Sequence, residues 1–174
     1  MKKCFLGLFI LGLTNLISAQ NDIAMVTTNV TEISSKTSKV KNAQYLRSSS
    51  KEVEHLALGI MKLQKIAADY DIKKERIYGN NKTITYDVVF ETNGNYIKAV
   101  YDHNGTILSS EEYYEDVRIP YVLSSQLAIE YPGWSFNNSN CVILYSKNGE
   151  VNYTYKLKLK KGNSSKSITR KIKK

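Results

Sequence analysis

The sequence predicts an α+β fold of two helix-plus-antiparallel-meander repeats, with the helices packed on one face of the sheet. Apolar residues recur at helical spacing in two segments, one beginning near Lys51 and one at Pro120. Each segment is followed by stretches in which apolar and polar residues alternate, as in half-buried antiparallel strands. Asn-Gly sequences at 93–94, 104–105 and 148–149 separate these stretches and favour tight turns.

The first 19 residues have the form of a secretory signal peptide. Lys2 and Lys3 precede an apolar run from Phe5 to Ile17, and Ala19 fits a cleavage site. The run is shorter than the roughly 20 apolar residues that a membrane-spanning helix needs. We therefore expect a periplasmic or secreted protein with no membrane span.

Residues 20–50 are predicted to form an N-terminal arm or loop before a domain that comprises residues 51–174. Residues 20–32 are compatible with an edge strand or an ordered arm. From Ser34 to Ser50 the chain is rich in Ser, Lys, Asn and Thr, with little to bury except Tyr45 and Leu46. This composition is typical of a loop.

The first helix of the domain is predicted from a capping box. Ser49 and Glu52 have the Ser-x-x-Glu spacing, and an apolar stripe follows. The residues of the stripe are Val53, Leu56, Ile60, Leu63, Ala67 and Tyr70. The stripe predicts packing on a sheet.

Three strands are predicted after this helix. They cover Thr83 to Glu91, Tyr96 to Tyr101 and Thr106 to Ser109, and the first places alternate residues from Ile84 to Phe90 on its buried face. The acidic segment that follows contains Glu111, Glu112, Glu115 and Asp116. It lacks calcium-loop spacing, so we interpret it as a solvated charge run.

The second repeat is predicted from Pro120 onward. Pro120 is suited to a first helical position, and Pro132-Gly133 ends the helix. The predicted buried stripe is Ile119, Leu123, Leu127 and Tyr131. Strands follow at Trp134 to Ser146, with an interruption near 137–140, at Val151 to Lys160, and at Ser167 to Lys173.

Together, these motifs resemble the PepSY-like family, whose members are exported proteins, mostly of Bacteroidota, related in fold to the beta-lactamase inhibitor protein. The resemblance rests on Tyr86-Asp87-Val88-Val89-Phe90, Asn93-Gly94, Val100-Tyr101-Asp102, Asn104-Gly105, Ile107-Leu108, Ile119-Pro120, Tyr131-Pro132-Gly133-Trp134 and Tyr155-Lys156-Leu157-Lys158-Leu159. It covers roughly residues 70–174. The resemblance implies repeated helix-plus-sheet units and a noncatalytic binding or inhibitory role. The basic C-terminus departs from the family, so the partner stays open.

No residue set in the sequence predicts an enzyme, a cofactor or a metal. His55 and His103 have no serine partner at a spacing that suggests a catalytic triad. Asp102 and His103 are interpreted as part of an Asp-His-Asn-Gly turn in preference to metal ligands. After cleavage Cys141 is the single cysteine, so no intramolecular disulfide is expected, and we interpret it as a small buried hydrophobe.

The candidate binding surface has a basic part and an aromatic part. The chain carries a net charge of +9. The segment from Lys156 to Lys174 contains nine Lys or Arg residues and no Asp or Glu. The basic candidates are Lys156, Lys158, Lys160, Arg170 and Lys171, and the aromatic candidates are Tyr113, Tyr114 and Tyr121. The lysines would bind an anionic polysaccharide, lipopolysaccharide or nucleic acid without sequence specificity, or would only keep an edge strand soluble.

The function that we expect is an exported noncatalytic binding module, inhibitory or scaffolding toward another exported or envelope macromolecule. Its alternative is electrostatic binding of an anionic envelope polymer through the basic C-terminal hairpin.

Overall fold

The computed structural model describes residues 23–27, 40–50 and 58–173, which form a seven-stranded sheet with helices on one side. The strands are β1 (Ile23–Thr27), β2 (Tyr86–Thr92), β3 (Asn95–Tyr101), β4 (Ile107–Tyr114), β5 (Ser135–Ser146), β6 (Asn152–Lys161) and β7 (Ser164–Lys173). They lie across the sheet in chain order. Strands β2 to β7 are antiparallel to their neighbours, while β1 pairs in parallel with β2. The predicted α+β class and the antiparallel sheet are confirmed, and β1 agrees with the edge-strand alternative for residues 20–32.

The helices are α1 (Ala43–Ser50), α2 (Leu58–Asp69) and α3 (Tyr121–Glu130), and a short 3-10 helix covers Ile72–Lys74. Each α-helix contributes side chains to one continuous core, for example Tyr45, Leu63 and Leu127. The predicted signal peptide, the start of the first predicted helix (residues 51–57) and His55 lie outside the described residues.

The third helix ends where its sequence predicts, but Pro120 is its N-cap residue, and Tyr121 occupies the first helical position predicted for Pro120. It follows Pro120 and ends just before the Pro132-Gly133 sequence, where Gly133 has a φ of 77°. Leu123 and Leu127 are buried, and the two outer residues of the predicted stripe are partly buried against the core.

Alternating burial along β6 separates the two faces of the sheet. The buried residues are Val151, Tyr153, Tyr155, Leu157 and Leu159, and the lysines between them are exposed. This confirms the predicted register. The first strand of the first meander is predicted from Thr83, but β2 begins at Tyr86. Ile84, predicted on the buried face, precedes the strand and is exposed.

Two local predictions in the strands agree with the backbone. Asn93 and Gly94 have φ values of 46° and 79°, so both adopt the left-handed conformation of the predicted turn between β2 and β3. In β5 the register with β6 shifts between Phe136 and Asn138, inside the predicted interruption, although the strand continues through it.

The prediction of a loop through Ser50 is wrong for Ala43–Ser50, which forms α1. The helix is held by long-range contacts. Asn42 is buried, and its amide group donates to the carbonyls of Ala68 (3.0 Å) and Gly105 (3.1 Å) while accepting from the Ile107 amide (2.9 Å). These contacts fix the start of α1 against the end of α2 and the turn before β4.

The prediction of a solvated acidic run is wrong for Glu112, which is fully buried on the helix side of β4. Four side chains donate hydrogen bonds to its carboxylate. Oε1 accepts from Tyr45 Oη (2.8 Å) and Ser110 Oγ (3.1 Å), and Oε2 accepts from Gln64 Nε2 (2.8 Å) and Tyr114 Oη (2.5 Å). The carboxylate therefore joins α1 and α2 to the sheet.

Substitution of Glu112 by Ala should destabilise the fold by about 3–4 kcal/mol, because it leaves four buried donors without their acceptor. Urea denaturation of the variant and the wild type measures this difference. Glu111→Ala is the matched control, because Glu111 is the exposed neighbour on the opposite face and should change the unfolding free energy by less than about 1 kcal/mol. Equal effects of the two substitutions would contradict the role of Glu112.

Candidate binding face

The face of β2 to β7 that points away from the helices is called the open face. Its side chains come from the strand positions that alternate with the buried ones. Among the described residues it contains Asp87, Val89, Glu91, Tyr96, Lys98, Val100, Ser109, Glu111, Tyr113, Ser135, Asn138, Asn140, Val142, Leu144, Ser146, Asn152, Thr154, Lys156, Lys158, Lys160, Ser165, Ser167, Thr169, Lys171 and Lys173. No described helix packs on this face.

A depression of about 670 Å³ lies on the open face across β2 to β5. Val89, Val100 and Leu144 provide its apolar side chains, and Leu144 is 44% exposed. Asp87 and Glu111 also line it. The combination of an apolar floor with polar groups around it is typical of a site that binds another molecule.

A tyrosine pair lies beside this depression. The rings of Tyr96 and Tyr113 are cross-strand partners and stack with centroids 5.5 Å apart. Tyr96 Oη donates to Glu111 (3.0 Å), and the Lys98 ammonium lies 4.8 Å from the Tyr96 ring centroid. Burial and the hydrogen bond to Glu111 raise the pKa of Tyr96, so its phenol stays protonated and acts as a donor. Asn140 Nδ2 donates to Tyr113 Oη (2.8 Å) and extends the pair toward β5.

The lysine row of β6 occupies the other half of the open face. Lys156, Lys158 and Lys160 are all exposed, and Lys171 of β7 lies on the same face. A groove of about 310 Å³ runs beside the row and is lined by Asn138, Asn140, Lys156, Lys158, Ser167 and Thr169. Of the predicted basic surface, Lys156, Lys158, Lys160 and Lys171 are thus neighbouring side chains on two strands, β6 and β7.

Arg170 lies on the helix side of the sheet, apart from the other basic candidates. Its guanidinium pairs with Glu130 at the end of α3, with Nη2 and Oε2 2.5 Å apart. The hydrogen bond from Arg170 lowers the pKa of Glu130. Arg170 therefore joins α3 to β7 and does not extend the lysine row.

The three aromatic candidates do not come together. Tyr113 lies on the open face, Tyr114 is fully buried and bonded to Glu112, and Tyr121 begins α3 with 80% of its surface exposed. The tyrosine pair on the open face instead combines Tyr113 with Tyr96. The sequence could have indicated Tyr96 as the partner of Tyr113, because the two residues lie on opposite sides of the Asn104-Gly105 turn that joins β3 to β4.

The titratable groups of the turns and core serve local structure. The Asp102 carboxylate accepts from the amides of Asn104 (2.9 Å) and Thr106 (2.8 Å), as the turn interpretation predicts. His103 stacks on Tyr78, and its Nε2 lies 2.9 Å from Tyr78 Oη. Burial raises the pKa of the Cys141 thiol to about 12, so the thiol is protonated at neutral pH and a weak nucleophile. The described part of the chain contains no group of three or more potential metal ligands among His, Cys, Asp and Glu.

Comparisons with protein-family models, with curated proteins and with solved structures find no match. The PepSY-like resemblance therefore stays a prediction. Within the described ranges, no helix has both the length and the apolar character required to cross a membrane.

Burial raises the pKa of Glu112 above the ordinary glutamate value, although the hydrogen bonds from Tyr114, Gln64, Tyr45 and Ser110 oppose this shift. Over the pH range between the ordinary and the raised value, the folded chain keeps a proton that the unfolded chain has lost. The contribution of Glu112 to stability is therefore largest at low pH and decreases as the pH rises through that range.

We predict that the wild type loses stability relative to Glu112→Gln as the pH rises from about 4 upward. The quantity compared is the difference between their two unfolding free energies. Denaturant titrations of both proteins at several pH values measure the difference, in which the titration of other groups cancels. A difference that grows with pH would mean that the pKa of Glu112 is lowered in the fold.

Proposed function

We propose that this chain is an exported, noncatalytic binding module that binds another exported or envelope macromolecule through its open face, either to inhibit it or to hold it in place. The observation that carries the proposal is the open face itself. Its depression combines one exposed and two half-buried apolar side chains with charged groups, and no described helix covers it.

The apolar residues of the depression favour a protein partner. Val89, Val100 and Leu144 lie on three different strands and line the same depression. The stacked tyrosines and Lys98 lie beside them. Aromatic residues are enriched in protein interfaces, and an apolar centre with a polar rim is their usual arrangement.

Export and the family relation are part of the proposal. The charged start, apolar run and Ala19 of the N-terminal sequence support export with cleavage near Ala19, to the periplasm or the cell exterior. The order of the motifs from Tyr70 onward supports a PepSY-like chain of two helix-plus-meander repeats. The element order is consistent with this reading, since α2 precedes β2 to β4 and α3 precedes β5 to β7.

A noncatalytic role is supported by what the polar groups do. The Asp102 carboxylate is used by a turn, His103 contacts Tyr78, and Glu112 is enclosed by four donors in the core. A catalytic site needs an acid or base that reaches a substrate in a cleft. These groups are engaged in holding the fold.

A second candidate function is electrostatic binding of an anionic polymer, namely a polysaccharide, a lipopolysaccharide or a nucleic acid. Lys156, Lys158 and Lys160 favour it, because they are exposed on one face in a segment without acidic residues. Such binding would weaken steeply with salt.

Leu144→Arg should reduce capture of the partner at least about tenfold, because it places a charge at the apolar centre of the open face. The test compares crosslinked pull-downs from periplasmic or culture extract, quantified by mass spectrometry. Ile129→Arg is the matched control, since Ile129 is 84% exposed on α3, on the helix side. The proposal fails if Ile129→Arg abolishes capture while Leu144→Arg leaves it unchanged.

A further inference from the structure

We infer that the lysine row of β6 is the centre of a binding site for an acidic polysaccharide. The inference rests on the second proposed function and assigns its ligand to one chemical class. It concerns the groove beside the lysines, and the apolar depression on β2 to β5 plays no part in it.

The strand pairing gives the groove a regular composition. Each of the three lysines in the row has a neutral hydrogen-bonding residue beside it on both neighbouring strands. The cross-strand rows are Asn140, Lys156 and Thr169, then Asn138, Lys158 and Ser167, then Ser135, Lys160 and Ser165. The site is therefore a row of cations bordered by amides and hydroxyls.

The spacing of the row suits an extended chain. Alternate residues of a strand are about 7 Å apart and neighbouring strands about 4.8 Å apart, so the three lysines span about 14 Å. Strands β5, β6 and β7 contain no Asp or Glu. An extended polymer that carries repeated negative charges would follow β6 and contact each lysine in turn.

The neutral groups indicate that this polymer also carries hydroxyls. Asn138 and Asn140 line the groove, and Asn140 Nδ2 donates to Tyr113 Oη. The Asp116 carboxylate lies at the margin of the groove, where it accepts from Asn138 Nδ2 (3.0 Å). A polyphosphate has no hydrogen-bond donor for the Asp116 carboxylate, whereas a sugar hydroxyl can donate to it.

The aromatic residues of the open face argue against a nucleic acid. Single-stranded nucleic acid is bound by basic grooves with aromatic rings on which bases stack. The Tyr96 ring already contacts Lys98 and Tyr113, and no aromatic side chain of β6 or β7 lies on the open face. The groove therefore lacks a stacking platform along the lysine row.

The test uses the full chain in affinity electrophoresis and titration calorimetry with polygalacturonate as the acidic polysaccharide. Dextran, linear polyphosphate and oligo-dT serve as comparison polymers. We expect binding to polygalacturonate, weaker binding to polyphosphate and oligo-dT, and none to dextran. The combined variant K156Q/K158Q/K160Q should weaken polygalacturonate binding at least about tenfold and reduce its salt dependence.

Two further variants separate this site from nonspecific charge attraction. K62Q/K73Q/K74Q removes the same number of exposed positive charges elsewhere and should leave binding nearly unchanged. S167A/T169V keeps every charge and should weaken binding to polygalacturonate more than binding to polyphosphate, because a polyphosphate can use the hydroxyls only as donors. The inference is overturned if the two lysine variants lose polygalacturonate affinity equally, or if S167A/T169V loses none. It is also overturned if the chain prefers polyphosphate or oligo-dT, or does not bind polygalacturonate.

The outcome is distinguishable from that of the proposed protein partner. Leu144→Arg lies outside the lysine groove and should leave polygalacturonate binding intact. If protein capture depends on Leu144 and polygalacturonate does not bind, the binding module stands and this inference fails.

Discussion

The alternation of side chains across six antiparallel strands is the constraint on which the structure depends. Because successive residues point to opposite faces, one register fixes both what is buried and what is displayed. In β6 the same register that buries Tyr153, Tyr155 and Leu157 exposes Lys156 and Lys158. A shift by one residue would place the lysines under the helices, where an unpaired charge is very costly. The composition of the open face is therefore a direct consequence of the packing of the core.

Polar residues fix the position of the helices on the covered face. Glu112 is a buried acid surrounded by donors from α1, α2 and β4, and Asn42 joins the start of α1 to the end of α2 and the turn before β4. Buried polar groups are tolerated only when they are hydrogen-bonded, and their geometry then specifies a single arrangement. On the edge of the same layer, Arg170 and Glu130 join β7 to α3. All three described α-helices are therefore held on the side opposite the open face.

Much of the fold could be predicted because its signals are local. The third helix has proline at both ends, the β2–β3 turn has Asn-Gly, and β6 alternates without interruption. By contrast, α1 depends on contacts from Asn42 to residues more than 25 positions away, which no local pattern reveals. In β4 the pairing of Val100 with Ser109 and of Tyr101 with Ile107 leaves Leu108 as an extra residue. This bulge reverses the alternation, so that Glu112 and Tyr114 point inward and Tyr113 points outward.

The candidate site could likewise be predicted only where its signals are local. The faces of Lys156, Lys158 and Lys160 follow from alternation alone. The position of Arg170 between Ile168 and Ile172, which share a face, could have indicated that it lies on the helix side. The meeting of Val89, Val100 and Leu144 required the order of the strands, which the individual strand patterns do not contain.

Hydroxyl-radical footprinting of the full chain, read by mass spectrometry, tests most directly whether the sheet has one covered and one open face. Leu144 and Tyr113 should be oxidised readily. Leu157 of β6 and Tyr114 of β4 should be protected, because they lie on the helix side. Urea-unfolded protein provides the intrinsic reactivity of each residue. Protection of Leu144 together with rapid oxidation of Leu157 would contradict the assignment of the two faces.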